Sequence, residues 1–476
     1  MVWIITILLL FIFQMMTILI AEFRYPTKTV AWLVILFIFP LVGFVMYYFM
    51  AQAYTHERKF KRNGQRIMQE NRRDLWKRSL LSDRAELPLT AALNQQRLYR
   101  LLENLPGSAV CMHNTVSAFS ETRAAFDVMM AAIEGAKDHV HFQFYTIRDD
   151  QVGNEFLQLL IRKAHEGVSV RVLYDGIGSY KLSKSYINKL TNAGVEVHCF
   201  LAPLIAFLDK RLNYRNHRKI IVVDGTLGFL GGMNIGDEYL GSDPKLGYWR
   251  DTHLQVEGTA VHFLQNTFLT DWCFASGVAL TDSRYYPQFR GKASNQGVQI
   301  VTSGPDEHWA AIMEVYFAAI STAQHRIQLT TPYFVPDASI FMALKIAAVS
   351  GIEVKVIIPK VPDSKLVYLA SLSYLKELMQ AGVSFYQYEK GFIHSKVLVI
   401  DDTLAFVGTA NLDMRSFFSN FEINAALFDS EVIAKLDADF CQDIQDSKLM
   451  LLEEFERRSR FERAQEVFAR LLSPLL

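Results

Sequence analysis

The sequence predicts an α/β protein of two similar halves with mixed sheets, preceded by a pair of apolar helices. Three observations predict it: strand-length segments alternate with helix-length ones, a repeat of about 180 residues runs through most of the chain, and two uncharged runs open its 476 residues. Hydrophobic residues make up 51% of the chain, more than an ordinary soluble protein of this length carries. Lysine plus arginine equals aspartate plus glutamate at 49 each, so bulk charge gives no reason to expect a nucleic-acid binder.

The apolar runs are Val2 to Ala21 and Val30 to Met50, each about the length that crosses ~30 Å of hydrocarbon. No basic residue precedes the first, so an uncleaved anchor is expected instead of a signal peptide. The short link from Glu22 to Thr29 contains Pro26, which makes the pair an antiparallel transmembrane hairpin over residues 1–55, with helices at about 2–21 and 30–50. A basic juxtamembrane connector, 56–105, follows. From Glu57 to Glu86 it holds ten basic residues against five acidic ones, which places the rest of the chain on the cytoplasmic side of the membrane. That stretch reads equally as a solvated helix and as a patch drawn to anionic headgroups.

Beyond Pro88 come Val140 to Tyr145 as a strand, Glu155 to Glu166 as a helix and Val168 to Tyr174 as a strand. The segment Ala131 to Ala136 returns as Ala318 to Ala323, Gly167 to Val172 as Gly351 to Val356, and Ala193 to Val197 as Ala381 to Phe385. The copies stay in order, with separations of 184 from Gly167 to Gly351, 188 from Gly194 to Gly382 and 177 from His217 to His394. The expected halves are 106–290 and 291–476, the second closing with a C-terminal helix. The tail from Glu453 to Leu476 fits either a helix packed on the core or an interfacial amphipathic helix.

Each copy ends in H-x-K-x4-D: His217, Lys219 and Asp224 in the first, His394, Lys396 and Asp401 in the second. In a strand, residues i and i+2 share a face, so each histidine and its lysine are expected to meet one ligand. Six residues past each aspartate lies a small-residue turn with an asparagine, Gly231-Gly232-Met233-Asn234 and Gly408-Thr409-Ala410-Asn411. Such a turn permits close backbone approach and offers an amide donor. Lysine and asparagine donors around an imidazole suit a phosphoryl group, and imidazole can act as nucleophile or proton carrier near neutral pH. Asp224 and Asp401 end apolar strands, where a turn or salt bridge explains an aspartate as well as catalysis does.

The doubled H-x-K-x4-D-x6-G-[GT]-x-N resembles the phospholipase D superfamily, whose members join two such motifs about a pseudo-twofold axis. Within it, Asn216 to Lys219, Gly232 to Tyr239, Tyr248 to Asp251, Thr331 to Pro336 and Asn411 to Ser416 resemble the bacterial cardiolipin synthase family, over essentially the whole chain. The resemblance implies transfer of a phosphatidyl group from one phosphatidylglycerol to the hydroxyl of another through a phosphatidyl-histidine, giving cardiolipin and glycerol. It implies His217 as nucleophile and His394 as acid and base, though the two motifs themselves allow the reverse. It also implies phosphate contacts from Lys219, Lys396, Asn234 and Asn411, and Asp251 and Glu422 as acceptors of the histidine Nδ1 protons. No metal or cofactor is expected: the other histidines show no ligand spacing, and no G-x-x-x-x-G-K-[ST] loop is present. The alternative is a membrane-bound phospholipase D that hydrolyses phospholipid to phosphatidic acid. Four cysteines without C-x-x-C spacing read as inert core or surface thiols. The apolar stretch Leu201 to Leu208 reads as a core segment or a loop that dips toward lipid.

Overall fold

A computed structural model describes residues 2–21, 26–40, 43–45, 47, 68, 70–75, 96–105, 107–202, 214–289, 294, 296–307 and 309–473. Most of the basic connector and of Leu201 to Leu208 therefore lies outside the described residues, as does much of the second apolar run.

Two sheets carry the fold. In the first, the strand order across the sheet is Asn114–Phe119, His253–Gly258, Leu227–Gly231, Ile220–Val223, His139–Phe144, Ser169–Asp175, Glu196–Phe200. In the second, seven strands repeat that order as Val298–Ser303, Asn420–Leu427, Leu404–Gly408, Val397–Ile400, Arg326–Thr330, Glu353–Pro359, Ser384–Tyr388. In both, the last three strands pair in parallel and the other pairings are antiparallel. The sequence repeat is thus a structural repeat, with mixed sheets as expected. Val110–Cys111 and Ser447–Leu449 extend the second sheet at its two edges.

Period-2 alternation explains the four-residue apolar runs at the centre. Ile220 and Val222 join Val397 and Val399 in one shared core, while Ile221 and Val223 face helices Thr122–Glu134 and Gln151–His165. Leu398 and Ile400 likewise face helices Ala311–Thr322, Ala338–Val349 and Lys365–Gln380. The two sheets therefore pack face to face, with a helical layer outside each, and their central strands are buried on both sides. Asp150, Ser183 and Asp337 cap helices in these outer layers by accepting backbone N–H bonds.

At the N-terminus, helix α1 (Val2–Ala21) contacts helix α2 (Pro26–Ile38) through a small cluster around Ile18, Trp32 and Leu36. The 13 described residues of α2 rise about 20 Å. Among the described residues no helix is identified as long and apolar enough to cross a membrane. The 20-residue length and uncharged composition of α1 leave the expected hairpin as a proposal, taken up below. Of the connector, Arg72 donates to the Gly107 carbonyl at 2.7 Å, to Glu307 at 2.9 Å and to Thr302 at 2.7 Å, so this basic residue is docked on the second half.

Candidate active site

Each histidine is delivered by a short parallel strand pair that crosses between the halves. Arg215–Asn216 pairs with Asn420 and Phe421, and Gly391–Ile393 pairs with Tyr248–Arg250. The next residue in each case continues the register: the His217 N–H donates to the Phe421 carbonyl at 2.9 Å and the His394 N–H to the Arg250 carbonyl at 2.7 Å. His217 is thereby set level with Glu422, and His394 with Asp251. His217 Nδ1 lies 2.9 Å from Glu422 Oε2, and His394 Nδ1 lies 2.7 Å from Asp251 Oδ2. His217 and His394 thus each take their carboxylate from the opposite half. An ionised carboxylate only accepts, so each Nδ1 carries a proton and each Nε2 is the atom that gains or loses the second one.

The motif histidines and lysines lie in extended links just before the strands Ile220–Val223 and Val397–Ile400, not within one strand as the spacing predicts. Lys219 Nζ donates to the His217 carbonyl at 2.7 Å, and Lys396 Nζ bonds the His394 carbonyl. Burial lowers Lys219 to about 7 and Lys396 to about 8, with Glu422 and Asp251 opposing the shift in both. Burial also lowers His217 to about 4; Lys219 and Lys396 push the same way and Glu422 opposes. His394 is lowered too, by burial and then by Lys396, against the pull of Asp251. Burial raises Glu422 and Asp251, but the facing histidines and lysines outweigh it and hold both carboxyls below their ordinary range. Charges of the two halves thus act on one another, Lys396 on His217, Lys219 on His394 and Glu422 on Lys396. His217 and His394, 9% and 8% exposed, are the accessible edge of this group.

The two dyads are not equivalent. Glu422 also accepts from the Thr409 hydroxyl at 2.5 Å and from Asn420 Nδ2 at 3.1 Å, whereas Asp251 accepts otherwise from the Thr252 N–H at 2.8 Å. Gly232 stands where the second copy has Thr409, and a Cβ there would come within 2.0 Å of Asp251 Oδ1. The shorter acid therefore requires the glycine and the longer one accommodates the threonine. Asn234 and Asn411 are both buried beside their turns. Asn234 Oδ1 accepts the Thr146 N–H at 3.0 Å, which leaves its amide N–H groups to donate, while Asn411 Oδ1 has no partner among the described residues.

Asp224 and Asp401 are placed elsewhere. Asp224 accepts backbone N–H bonds from Lys137, Asp138 and His139 at 2.9, 2.8 and 2.9 Å; Asp401 accepts from Gln324, His325 and Arg326 at 3.1, 2.8 and 2.9 Å. Both adopt φ of +50°, a turn conformation that aspartate tolerates. Each lies five residues from its lysine along an extended chain, about 16 Å away. There they tie the start of one strand to the end of the next.

Several supporting residues escape sequence reasoning. Arg218 is buried, paired with Asp271 at 2.7 Å, and donates to the Glu422 carbonyl at 3.1 Å; Asp271 also accepts from Asn216 at 2.9 Å. Arg250 is held by Asp443 at 2.8 Å. Tyr145 packs its ring edge to face with His217, and Trp249 lies against His394. The available signal was Asp271, an isolated charge inside the apolar run Phe268 to Trp272. His141 and His253 are buried away from solvent, and His262 bonds the Pro287 carbonyl. Among the described residues no group of three or more histidine, cysteine or acidic side chains could hold a metal ion.

A family model described as "Cardiolipin synthase, PLD-like domain" matches residues 129–272 and 316–444, one stretch in each structural half. The chain belongs to this family. It is 42% identical over 456 residues to a cardiolipin synthase of Halalkalibacterium halodurans, spanning 96% of this chain and 90% of that one. It is 41% identical over 464 residues to the major cardiolipin synthase of Bacillus subtilis, spanning 96% and 95%. Among solved structures, a phosphatidylserine synthase of Haemophilus influenzae superposes with a TM-score of 0.63 at 15% identity, covering 80% of this chain and all of that one, a likeness of fold. The family stretches enclose His217, Glu422, His394 and Asp251, so the crossed dyads belong to the part of the chain the family shares.

Proposed function

We propose that this protein is a cardiolipin synthase that moves a phosphatidyl group from one phosphatidylglycerol to a hydroxyl of a second. The carrying observation is the pair of crossed dyads: two imidazoles, each oriented through Nδ1 by a buried carboxylate, flank a space that also holds two buried lysines. The near-full-length similarity to cardiolipin synthases supports the substrate class.

His217 Nε2 attacks the phosphorus, and the bond from phosphorus to the headgroup glycerol oxygen breaks. Protonated His394 gives its Nε2 proton to that oxygen, releasing glycerol and leaving a phosphatidyl group on His217. Neutral His394 then takes the proton of a glycerol hydroxyl on the second phosphatidylglycerol; that oxygen attacks phosphorus, the P–N bond breaks, and cardiolipin leaves. One phosphodiester replaces another, so the bond energy is conserved and no nucleotide is consumed. The asymmetry of the dyads supports this division of labour. Glu422 shares its charge among three donors and supports an imidazolium on His217 less, so His217 is kept neutral and nucleophilic; Asp251 holds His394 at 2.7 Å and favours its protonated form. Lys219 and Lys396, with Asn234 and Asn411, hold the non-bridging oxygens as charge builds. Asp251 and Glu422 position the imidazoles.

An N-terminal hairpin anchors the enzyme in the bacterial cytoplasmic membrane with the catalytic halves on the cytoplasmic side. Its support is the two uncharged runs of about twenty residues, the outward-facing Trp3, Leu9 and Phe13 of α1, and the basic excess that follows. The test is to supply the reconstituted protein with phosphatidylglycerol alone and identify the products by mass spectrometry. Cardiolipin with an equal amount of glycerol is expected. Phosphatidic acid as the sole lipid product refutes the transferase and makes the protein a phospholipase D.

A further inference from the structure

The C-terminal helix, Arg460–Leu472, is mounted with its apolar side outward. A capping box between Ser459 and Glu462 fixes its start. It lies along helix Lys365–Gln380, where the Ser473 hydroxyl meets the Tyr374 hydroxyl at 2.9 Å and Arg470 donates to the Ser373 carbonyl at 3.0 Å. Glu466, paired with Arg458 at 2.5 Å, and Ala469 complete the packed side. At 100° per residue Glu466, Ala469 and Ser473 share one face, and Phe461, Ala464, Val467, Phe468 and Leu471 share the opposite one. Phe461, Val467, Phe468 and Leu471 are 72%, 63%, 50% and 41% exposed. A helix held only by the core would bury such a stripe and expose its polar side. This one does the reverse.

We infer that the exposed stripe Phe461–Ala464–Val467–Phe468–Leu471 lies in the bilayer interface and seats the second catalytic half on the membrane. This rests on the membrane anchor proposed above. The same helix touches α2, so it lies beside the apolar N-terminal pair. Arg460 and Arg463 are exposed beside it, where long basic side chains reach headgroup phosphates while their stems lie on apolar ground. A second copy fits less well: a 13-residue helix offers a strip of roughly 20 Å by 10 Å, against about 800 Å² per partner in a stable interface. The helix would thus hold the cleft at a fixed height above the lipids whose headgroups it must receive.

The test uses the full chain in phosphatidylglycerol-containing vesicles, with Cys441→Ser to remove the exposed native thiol. Nitroxides are placed singly by Phe461→Cys, Phe468→Cys, Leu471→Cys and, as polar comparator, Arg463→Cys; Phe13→Cys in α1 reports on the anchor. Each variant is first checked for turnover, and accessibility to oxygen and to a water-soluble nickel chelate is then read by power saturation. Positions 461, 468 and 471 are expected to favour oxygen, with nickel access at least about threefold below position 463. Equal nickel access at all four, with position 13 shielded, overturns the inference and leaves the anchor standing. Nickel access at position 13 as well overturns both. Spin–spin broadening at position 468 that disappears on dilution with unlabelled protein overturns it in favour of a second copy.

Discussion

Replacing Asp401 by asparagine separates a structural aspartate from a catalytic one. Its carboxylate accepts three backbone N–H groups, with Oδ1 taking those of His325 and Arg326 and Oδ2 that of Gln324. Asparagine keeps one acceptor and tolerates the +50° φ. Its amide nitrogen then faces the Gln324 N–H, donor to donor, and the charge is gone. One charge-assisted bond lost and two weakened cost about 2–4 kcal/mol, at 1.5–3 kcal/mol for each bond to a charged group. That is a large share of an ordinary folding stability of about 5–15 kcal/mol, yet leaves the protein folded at low temperature. The effect on chemistry is small by comparison. A unit charge about 16 Å away contributes about 1 kcal/mol at an effective dielectric constant near 20, and screening reduces it, so the turnover of folded enzyme changes by less than about fivefold. The assay pairs thermal unfolding followed by intrinsic fluorescence with phosphatidylglycerol turnover at low temperature, normalised to folded protein; Asp224→Asn serves as the replicate from the other half. A loss of turnover of about a thousandfold with unchanged unfolding temperature would show that these aspartates touch the reacting atoms, and the reasoning would be refuted.

Glu422→Gln and Asp251→Asn should each lower kcat by about 10⁴, because a neutral amide no longer fixes the histidine tautomer; single-turnover kinetics on purified variants measure it. Both substitutions should suppress formation of the lipid-bound enzyme, since glycerol leaves as the bond to His217 forms, and Asp251→Asn should also slow the second transfer. In the free enzyme kcat/KM should fall as pH rises in two stages, first below the ordinary imidazole range as His394 loses the proton it must donate, and again through about 7 to 8 as the Lys219 and Lys396 ammoniums are lost; absence of the second fall excludes the lysines as phosphate contacts. His253, whose two ring nitrogens lack partners among the described residues, is lowered to about 3 by burial, opposed by Asp251. A histidine so depressed contributes stability that is present above its unfolded value near 6.5 and lost as pH falls toward 3. His253→Asn, which copies the equivalent Asn424 of the second half, should flatten that loss in denaturant titrations from pH 7 to pH 4.

The halves, their strand and helix rhythm and the two H-x-K-x4-D motifs were legible because periodicity and repetition are local properties of a sequence. The pairing of dyads was not. Asp251 and Glu422 are visible as acids after each turn, but which histidine each one serves depends on how the halves dock, and no spacing within one copy encodes that. The placement of His217 and Lys219 in one strand failed for a related reason: the strand is interrupted where Arg215–Asn216 leaves its own sheet to pair with Asn420 and Phe421. The face on which the C-terminal helix packs was equally hidden. Amphipathic spacing in Phe461, Phe468 and Leu471 reveals a stripe without saying what covers it, and the usual inference that a stripe faces the core is reversed here by Tyr374, Ser373 and Arg458.

The crossed dyads also explain why the repeat is retained in one chain. A half by itself would present a histidine without its acid and an acid without its histidine. In an isolated half Glu422 would keep only Thr409 and Asn420 as donors and Asp251 only the Thr252 N–H, and neither imidazole would be oriented. Docking completes both dyads, because each crossing strand pair brings one histidine to its acid and aligns it by backbone bonds from His217 to Phe421 and from His394 to Arg250. The apolar core around Ile220, Val222, Val397 and Val399 holds the sheets together but is tolerant of small slips; a parallel register is not, since a slip of one residue turns the histidine away from its carboxylate. Catalytic geometry and the assembly of the two halves are therefore set by the same few hydrogen bonds. A substitution that weakens a crossing pair is felt first in the distance between imidazole and acid, before the shared core gives way.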